Sequence, residues 1–267
     1  MTFEAVEMSL VIEKTSHLGA FGSEIVSTEA DLGLARATRG QLSARRVCLA
    51  AAGDPNIAAS SAAAWFTFGY VLKGQARLSI EGETIAIGPH DALCQVPLHA
   101  HHMIEVSAGF EFFELQARDC PEVRRWLPTR PRHVISFDTP ESHVLGTGPR
   151  SFFDYRDLGA AEATDRRIEA QAIRAVKPRE GGTGWHTHTM AQMSFGLGGW
   201  ALLGVEGAAT PILQERGDAL CIPAGAIHNA GAFSREYAAI QVQIPGDYET
   251  IACAAPPGFA GFGQVAI

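Results

Sequence analysis

Four side chains in the second half of the sequence could share one metal ion. His186 and His188 are one residue apart, Gln192 follows four residues later, and His228 closes the stretch Pro223-Ala-Gly-Ala-Ile-His228. On an extended strand, residues i and i+2 face the same way, so the first two imidazoles project together. An imidazole nitrogen binds zinc at about 2.0–2.1 Å, with similar lengths for other divalent metals. Gln192 would add an amide oxygen from the next strand, and His228 would arrive just past a Pro-x-Gly turn. A single histidine is more often a hydrogen-bonded core residue than a ligand. Three at these spacings predict a metal centre.

The chemistry of such a centre follows from its neutrality. Glutamine offers only an uncharged carbonyl oxygen. Three neutral imidazoles and one amide leave a divalent ion its full formal charge, which favours an anionic chelating substrate and strengthens the Lewis acid. Nitrogen-rich ligation suits Fe, Ni, Cu or Zn better than Ca or Mg. Three readings of Gln192 stand: a ligand, a hydrogen-bond partner of a metal-bound water, or the mark of a site losing its chemistry.

Around the ligands, Met190 shares the parity of the histidines, and Trp185, Met193, Phe195 and Trp200 are close in sequence. An apolar cavity is expected, although ordinary core packing explains any one of them. Arg174 could pair with a substrate carboxylate; it and Gln171 have opposite parity, so at most one faces inward. Gln241 and Gln243 share one face of Ala238-Ala-Ile-Gln-Val-Gln-Ile244 and could line the pocket, with Tyr237 a weak candidate proton donor.

Short strands must position these groups. Ala76-Arg-Leu-Ser-Ile-Glu-Gly-Glu-Thr-Ile-Ala-Ile87 reads as a hairpin about a Gly-Glu turn. The runs 109–118, 167–178 and 237–245 also read as strands. Helical periodicity is weak; Pro121–Leu127 is one short helix candidate with proline well placed at its start.

These strands recur. Asp-Ala-Leu-Cys occurs at 91–94 and 218–221, each time followed by a proline and, five residues on, a histidine (His102, His228). Upstream, 73–82 matches 198–207 at glycine and apolar positions. The offset drifts between 125 and 127 residues, as small insertions between strands would produce. A duplication is expected, giving two tandem β-barrels, residues 1–140 and 141–267, with 128–160 carrying the chain between them.

The 267 residues suit this organisation. A net charge of −8 without a basic run argues against a nucleic-acid partner. Five scattered cysteines without a CxxC pair indicate a reducing compartment, hence a cytoplasmic location. The N-terminal residues do not read as a signal peptide, and no apolar run reaches the roughly 18 residues of a membrane span, so no membrane partner is expected.

The spacings resemble the two motifs of the cupin superfamily. His186-x-His188, three residues, Gln192, six residues and Gly199 follow the first motif, with glutamine where the family has glutamate and the leading glycine one place off at Gly181. Gly217, Pro223, Gly225 and His228 follow the second, whose trailing asparagine is here Ala232. With the repeat, the chain resembles a bicupin: all-β, two tandem jelly-roll barrels with little helix. In the first copy the ligand positions become Ser61, Ala63 and Thr67, and only His102 survives, so this barrel is expected to serve structure or dimerisation. His99, His101 and His102 offer a less favoured second cluster. The resemblance implies one divalent transition metal, iron foremost, with Mn, Ni, Zn or Cu as alternatives. It also implies a small-molecule substrate and a homodimer. The function it suggests first is a dioxygenase-type oxidoreductase acting on a small aromatic, enol or diketone compound. A metal-dependent isomerase, decarboxylase or lyase stands second, weakened because no Glu or Asp stands beside the ligands. A non-catalytic small-molecule-binding bicupin stands third.

Overall fold

The computed structural model describes residues 6–14, 27–53, 64–80, 82–95, 101–127, 132–177, 179–180, 182–259 and 261–262. Nearly all regular structure is β, arranged as two tandem jelly-roll units. Each unit has a larger and a smaller sheet. In the first, a six-stranded sheet runs in the order 134–136, 92–95, 64–73, 110–118, 42–49, 27–31, beside a three-stranded sheet of 83–87, 76–80 and 101–106. The expected hairpin forms, with Leu78 opposite Ile85. In the second unit, a seven-stranded sheet runs 11–13, 219–222, 191–198, 238–244, 169–175, 153–157, 144–145. Its smaller partner contains 212–215, 200–205, 228–233, 186–188 and 250–252.

The two larger sheets also pack on each other. One core cluster joins Phe66, Phe68, Phe113 and Leu115 to Met193, Phe195, Ile240 and Val242, and the rings of Phe113 and Phe195 lie 5.1 Å apart. Strands buried on both faces carry few polar residues, which explains the near-continuous apolar runs. It also sorts the alternation in 238–244. Ile240 and Val242 face the shared core, so Gln241 and Gln243 face the barrel interior.

The repeat extends to edge strands. Val11–Glu13 pairs with the second Asp-Ala-Leu-Cys strand, Val11 opposite Cys221, while Val134–Ser136 pairs with the first, Val134 opposite Cys94. The first unit thus lends its leading strand, 11–13, to the second unit's larger sheet, while 134–136 closes its own. A further repeated block escaped the sequence reading: Asp31-Leu-Gly…Thr38 and Asp157-Leu-Gly…Thr164. In both, the aspartate accepts the glycine N–H, at 3.0 and 2.8 Å, and the glycine is left-handed (φ 75° and 84°). A four-residue helix follows, Leu34–Ala37 or Ala160–Ala163, and the threonine hydroxyl donates to its first carbonyl. The third helix, Pro121–Trp126, forms where proline marked its start.

Residues 128–160 were expected to be plain connection. Their described part holds strands 134–136, 144–145 and 153–157, all of them paired. Their runs are too short for periodicity to reveal.

The two interiors differ. In the first unit the ring of Phe112 lies directly over Gly69, and Arg45 pairs with Glu114 at 2.5 Å. The matching places in the second unit are Ser194 and Ala239, with Gln171 opposite Gln241, so no ring occupies that volume. A Cβ on Gly69 would sit 2.0 Å from the Phe112 ring. Gly69→Ala is therefore expected to cost about 1–3 kcal/mol by overpacking. Thermal denaturation should show a fall of several degrees; an unchanged midpoint would mean the ring moves aside freely.

Candidate metal centre

His186 and His228 are directly opposed in adjacent antiparallel strands of the smaller sheet, and His188 is two residues along. All three rings therefore share the barrel-facing side. Their centroids lie 4.4 to 4.9 Å apart, and one ring nitrogen from each falls within 4.8 Å of the other two. Among the described residues this is the one grouping of three histidine, cysteine or carboxylate side chains close enough to share an ion.

The second nitrogen of each ring is already engaged. His186 Nδ1 is 2.7 Å from the Gly184 carbonyl, His228 Nδ1 is 3.0 Å from the Ala226 carbonyl, and His188 Nδ1 is 2.9 Å from Thr250 Oγ1. A carbonyl can only accept, so Nδ1–H is the donor in the first two, and the third fits the same tautomer. Each ring then keeps a bare Nε2 lone pair for the common centre, the outer-shell arrangement that orients metal-binding imidazoles. Burial holds all three neutral: the His186 pKa lies below the usual imidazole value, that of His188 falls to about 3, and that of His228 to about 4. The charges of the neighbouring rings add to the last two. Three neutral, pre-oriented donors with no proton to lose fit a divalent transition ion.

Gln192 projects from the larger sheet across the same cavity and is 7% exposed. It is directly opposite Gln243 on one side and Ile222 on the other. The cavity, about 520 Å³, takes in the three histidines, Gln192, Gln241 and Gln243. Phe153, Ile173, Leu203 and Ile222 give it apolar walls. Gln243 is 2% exposed and its Oε1 has no hydrogen-bond partner among the described atoms.

Three expected pocket residues do different work. Met190 is buried in the wall and does not line the cavity, because the bend at Thr189–Met190 separates the strand of the histidines from that of Gln192 and breaks the parity. Arg174 is exposed and points away: its neighbour Ile173 takes the inward side, and its guanidinium pairs with Asp154 at 2.7 to 3.1 Å. Tyr237 contributes a wall, but its hydroxyl donates to Gln214 Oε1 at 3.0 Å, and burial pushes its pKa up to about 12. It is not a free proton donor. The second cluster suggested by His99, His101 and His102 lies outside the described residues and side chains, as do Ser61 and Ala63; Thr67 is buried between Gln95 and Gln116.

Sequence reasoning missed Arg150, Tyr155, Tyr248 and Thr250, all of which line the cavity. Arg150 and Tyr155 come from the segment taken for connection. Tyr248 sets its ring 5.3 Å from that of His188. Only the run of Thr250 with Ile251 and Ala252, a short β-prone stretch, hinted at another strand.

No family model matches the chain, and no curated protein matches it in sequence. Solved structures do. A putative glyoxylate-induced protein from Pseudomonas aeruginosa aligns with a TM-score of 0.66 at 14% identity, covering 95% of this chain and 93% of that one. The oxalate decarboxylase of Lactobacillus farciminis, in a formate complex, aligns at 0.55 and 16%, covering 85% and 83%. The oxalate decarboxylase of Bacillus subtilis, with Mn(II) centres, aligns at 0.51 and 14%, covering 85% and 74%. The chain has the cupin fold. The jelly roll accounts for a smaller sheet facing a larger one across a cavity. At these identities the likeness concerns the fold alone.

Proposed function

We propose that the chain is a metal-dependent bicupin, with units 1–140 and 141–267, that binds its ion in the second unit through His186, His188, His228 and Gln192. The reading is carried by one observation: three neutral imidazoles, two buried and His186 half-buried, whose outer nitrogens are all hydrogen-bonded, leaving three lone pairs for one point. Iron suits the nitrogen-rich donors. Manganese is the alternative drawn from the Bacillus subtilis relative.

A bound divalent ion would supply Lewis acidity and, if redox-active, one-electron chemistry toward dioxygen. The chain supplies the rest. The imidazoles hold the ion without neutralising it, the apolar walls exclude bulk water, and the amides of Gln192, Gln241 and Gln243 orient a polar ligand. No carboxylate is among the described lining residues and Tyr237 is committed to Gln214, so apart from the weakly acidic hydroxyls of Tyr155 and Tyr248 the described cavity holds no acid or base beyond the histidine centre. That favours dioxygenase-type oxidation of a small organic anion over isomerisation or elimination. The oxalate decarboxylases among the relatives support a second reading, decarboxylation of a short carboxylate.

Metal analysis of protein purified without chelator should find close to one transition ion per chain, and a substrate screen should show oxygen uptake. A metal-loaded protein that turns over a carboxylate without consuming oxygen would move the assignment to the second reading; absence of any bound transition metal would end both. Gln192→Glu adds a negative ligand and is expected to tighten metal binding about tenfold or more, measured by competition with a chelating dye. No change would take Gln192 out of the ligand set.

A further inference from the structure

Among the described residues lining the cavity, Arg150 is the one with a permanent charge and none is a carboxylate; the Glu169 carboxylate, which feels that charge, accepts from Gln171 instead. Its one hydrogen bond is long, 3.4 Å from Nη2 to Thr250 Oγ1, and Thr250 Oγ1 is in turn 2.9 Å from His188 Nδ1. Two hydrogen bonds thus separate the guanidinium from an imidazole of the centre. An arginine fork has five donors and matches a carboxylate in a bidentate way. Here nearly all of that capacity is left for a ligand.

The placement is built. Residues 146–151 form a compact turn at the cavity rim, with Arg150 N–H donating to the Thr147 carbonyl at 3.0 Å and Gly146 N–H to the Phe153 carbonyl at 2.9 Å. Gly146 is required there. A Cβ on it would lie 2.3 Å from the Arg150 carbonyl oxygen and 2.8 Å from the Tyr155 ring. The turn is therefore closed onto the residue that carries the charge, and Thr147 lines the cavity beside it.

We infer that Arg150 is the anion-recognition residue of this cavity and that its ligand is a short bifunctional organic acid, one end at the three-histidine centre and a carboxylate on Arg150. The inference rests on the metal-centre reading above. It divides the work: the ion holds the reacting end, and Arg150 selects for a second negative group and fixes its orientation. A monocarboxylate can use only one of the two points.

Isothermal titration of the metal-loaded protein with malonate and with acetate, at fixed ionic strength, tests this. Arg150→Met should weaken malonate about 10- to 100-fold, the scale of a lost charge-assisted pair, and leave acetate within about twofold. Arg150→Lys should recover part of the loss. Gly146→Ala should show the same selective loss, since it displaces the turn and not the ligands. Arg150 is exposed, so its variants should fold, which circular dichroism checks. Unchanged malonate affinity in Arg150→Met, equal losses for both acids, or no malonate binding by the metal-loaded wild type would each overturn the inference while leaving the metal centre intact. A wild-type protein that takes up no metal would instead bring down the underlying reading, and this one with it.

Discussion

His228→Ala is expected to reduce metal affinity by well over 100-fold, and His186→Ala and His188→Ala to do the same. Each imidazole is one of three pre-oriented neutral donors, and the remaining pair cannot reproduce a three-nitrogen centre. The scale is set from below by outer-shell partners, whose loss typically costs 10- to 100-fold. Thr250→Val removes such a partner from His188 and should fall in that lower range. Because metal binds the folded chain, loss of affinity also appears as loss of metal-dependent thermal stabilisation. The alanine variants should match the metal-free wild type in melting temperature and gain nothing from added ion. A His228→Ala protein that keeps a full equivalent of metal would place the ion elsewhere. The order of effects, ligand above Thr250, is the sharper test, since general unfolding would not produce it.

Arg156→Met should destabilise the protein by about 2–4 kcal/mol. Arg156 belongs to the second unit and is 1% exposed, yet its partners lie toward the first. Its guanidinium donates to the carbonyls of His90 and Ser136, and its Nε is 3.5 Å from Asp138 Oδ1. Methionine fills most of the volume but leaves two carbonyls without their donor and removes the charge facing Asp138. Breaking a buried charged pair costs about 3–5 kcal/mol. The lower figure here reflects Asp138, which is 30% exposed and also bonds His143 at 2.8 Å. Arg156→Lys should recover only part, because one ammonium cannot reach both carbonyls and still face Asp138. Denaturant unfolding measures the change. A value within about 0.5 kcal/mol of wild type would mean that water replaces the guanidinium without penalty.

Much of this was readable in advance, for reasons that differ from element to element. The histidine trio was legible because strand parity is local: His186 and His188 face one way whatever surrounds them, and a Pro-x-Gly turn announces the strand of His228. The duplication was legible because two copies of one folding unit keep their turn residues, although the Asp-Leu-Gly…Thr block passed unnoticed between less regular stretches. Met190 was misplaced because parity was carried through a bend. Arg174 was misplaced because a strand position says that neighbours alternate, not which of them meets the cavity. Tyr237 read as a donor because its partner Gln214 lies on another strand.

By itself the sequence determined the β architecture, the tandem repeat and three imidazoles on a common face, since each depends on spacing within a strand or on likeness between strands. Tertiary structure decided that the larger sheets pack against each other, that strand 11–13 of the first unit joins the larger sheet of the second, and that Phe112 fills one barrel where Ala239 leaves room in the next. It also carried Arg150 to the rim of the cavity and turned Arg174 away. Such outcomes depend on which distant surfaces exclude water together, and no window along the chain contains that information.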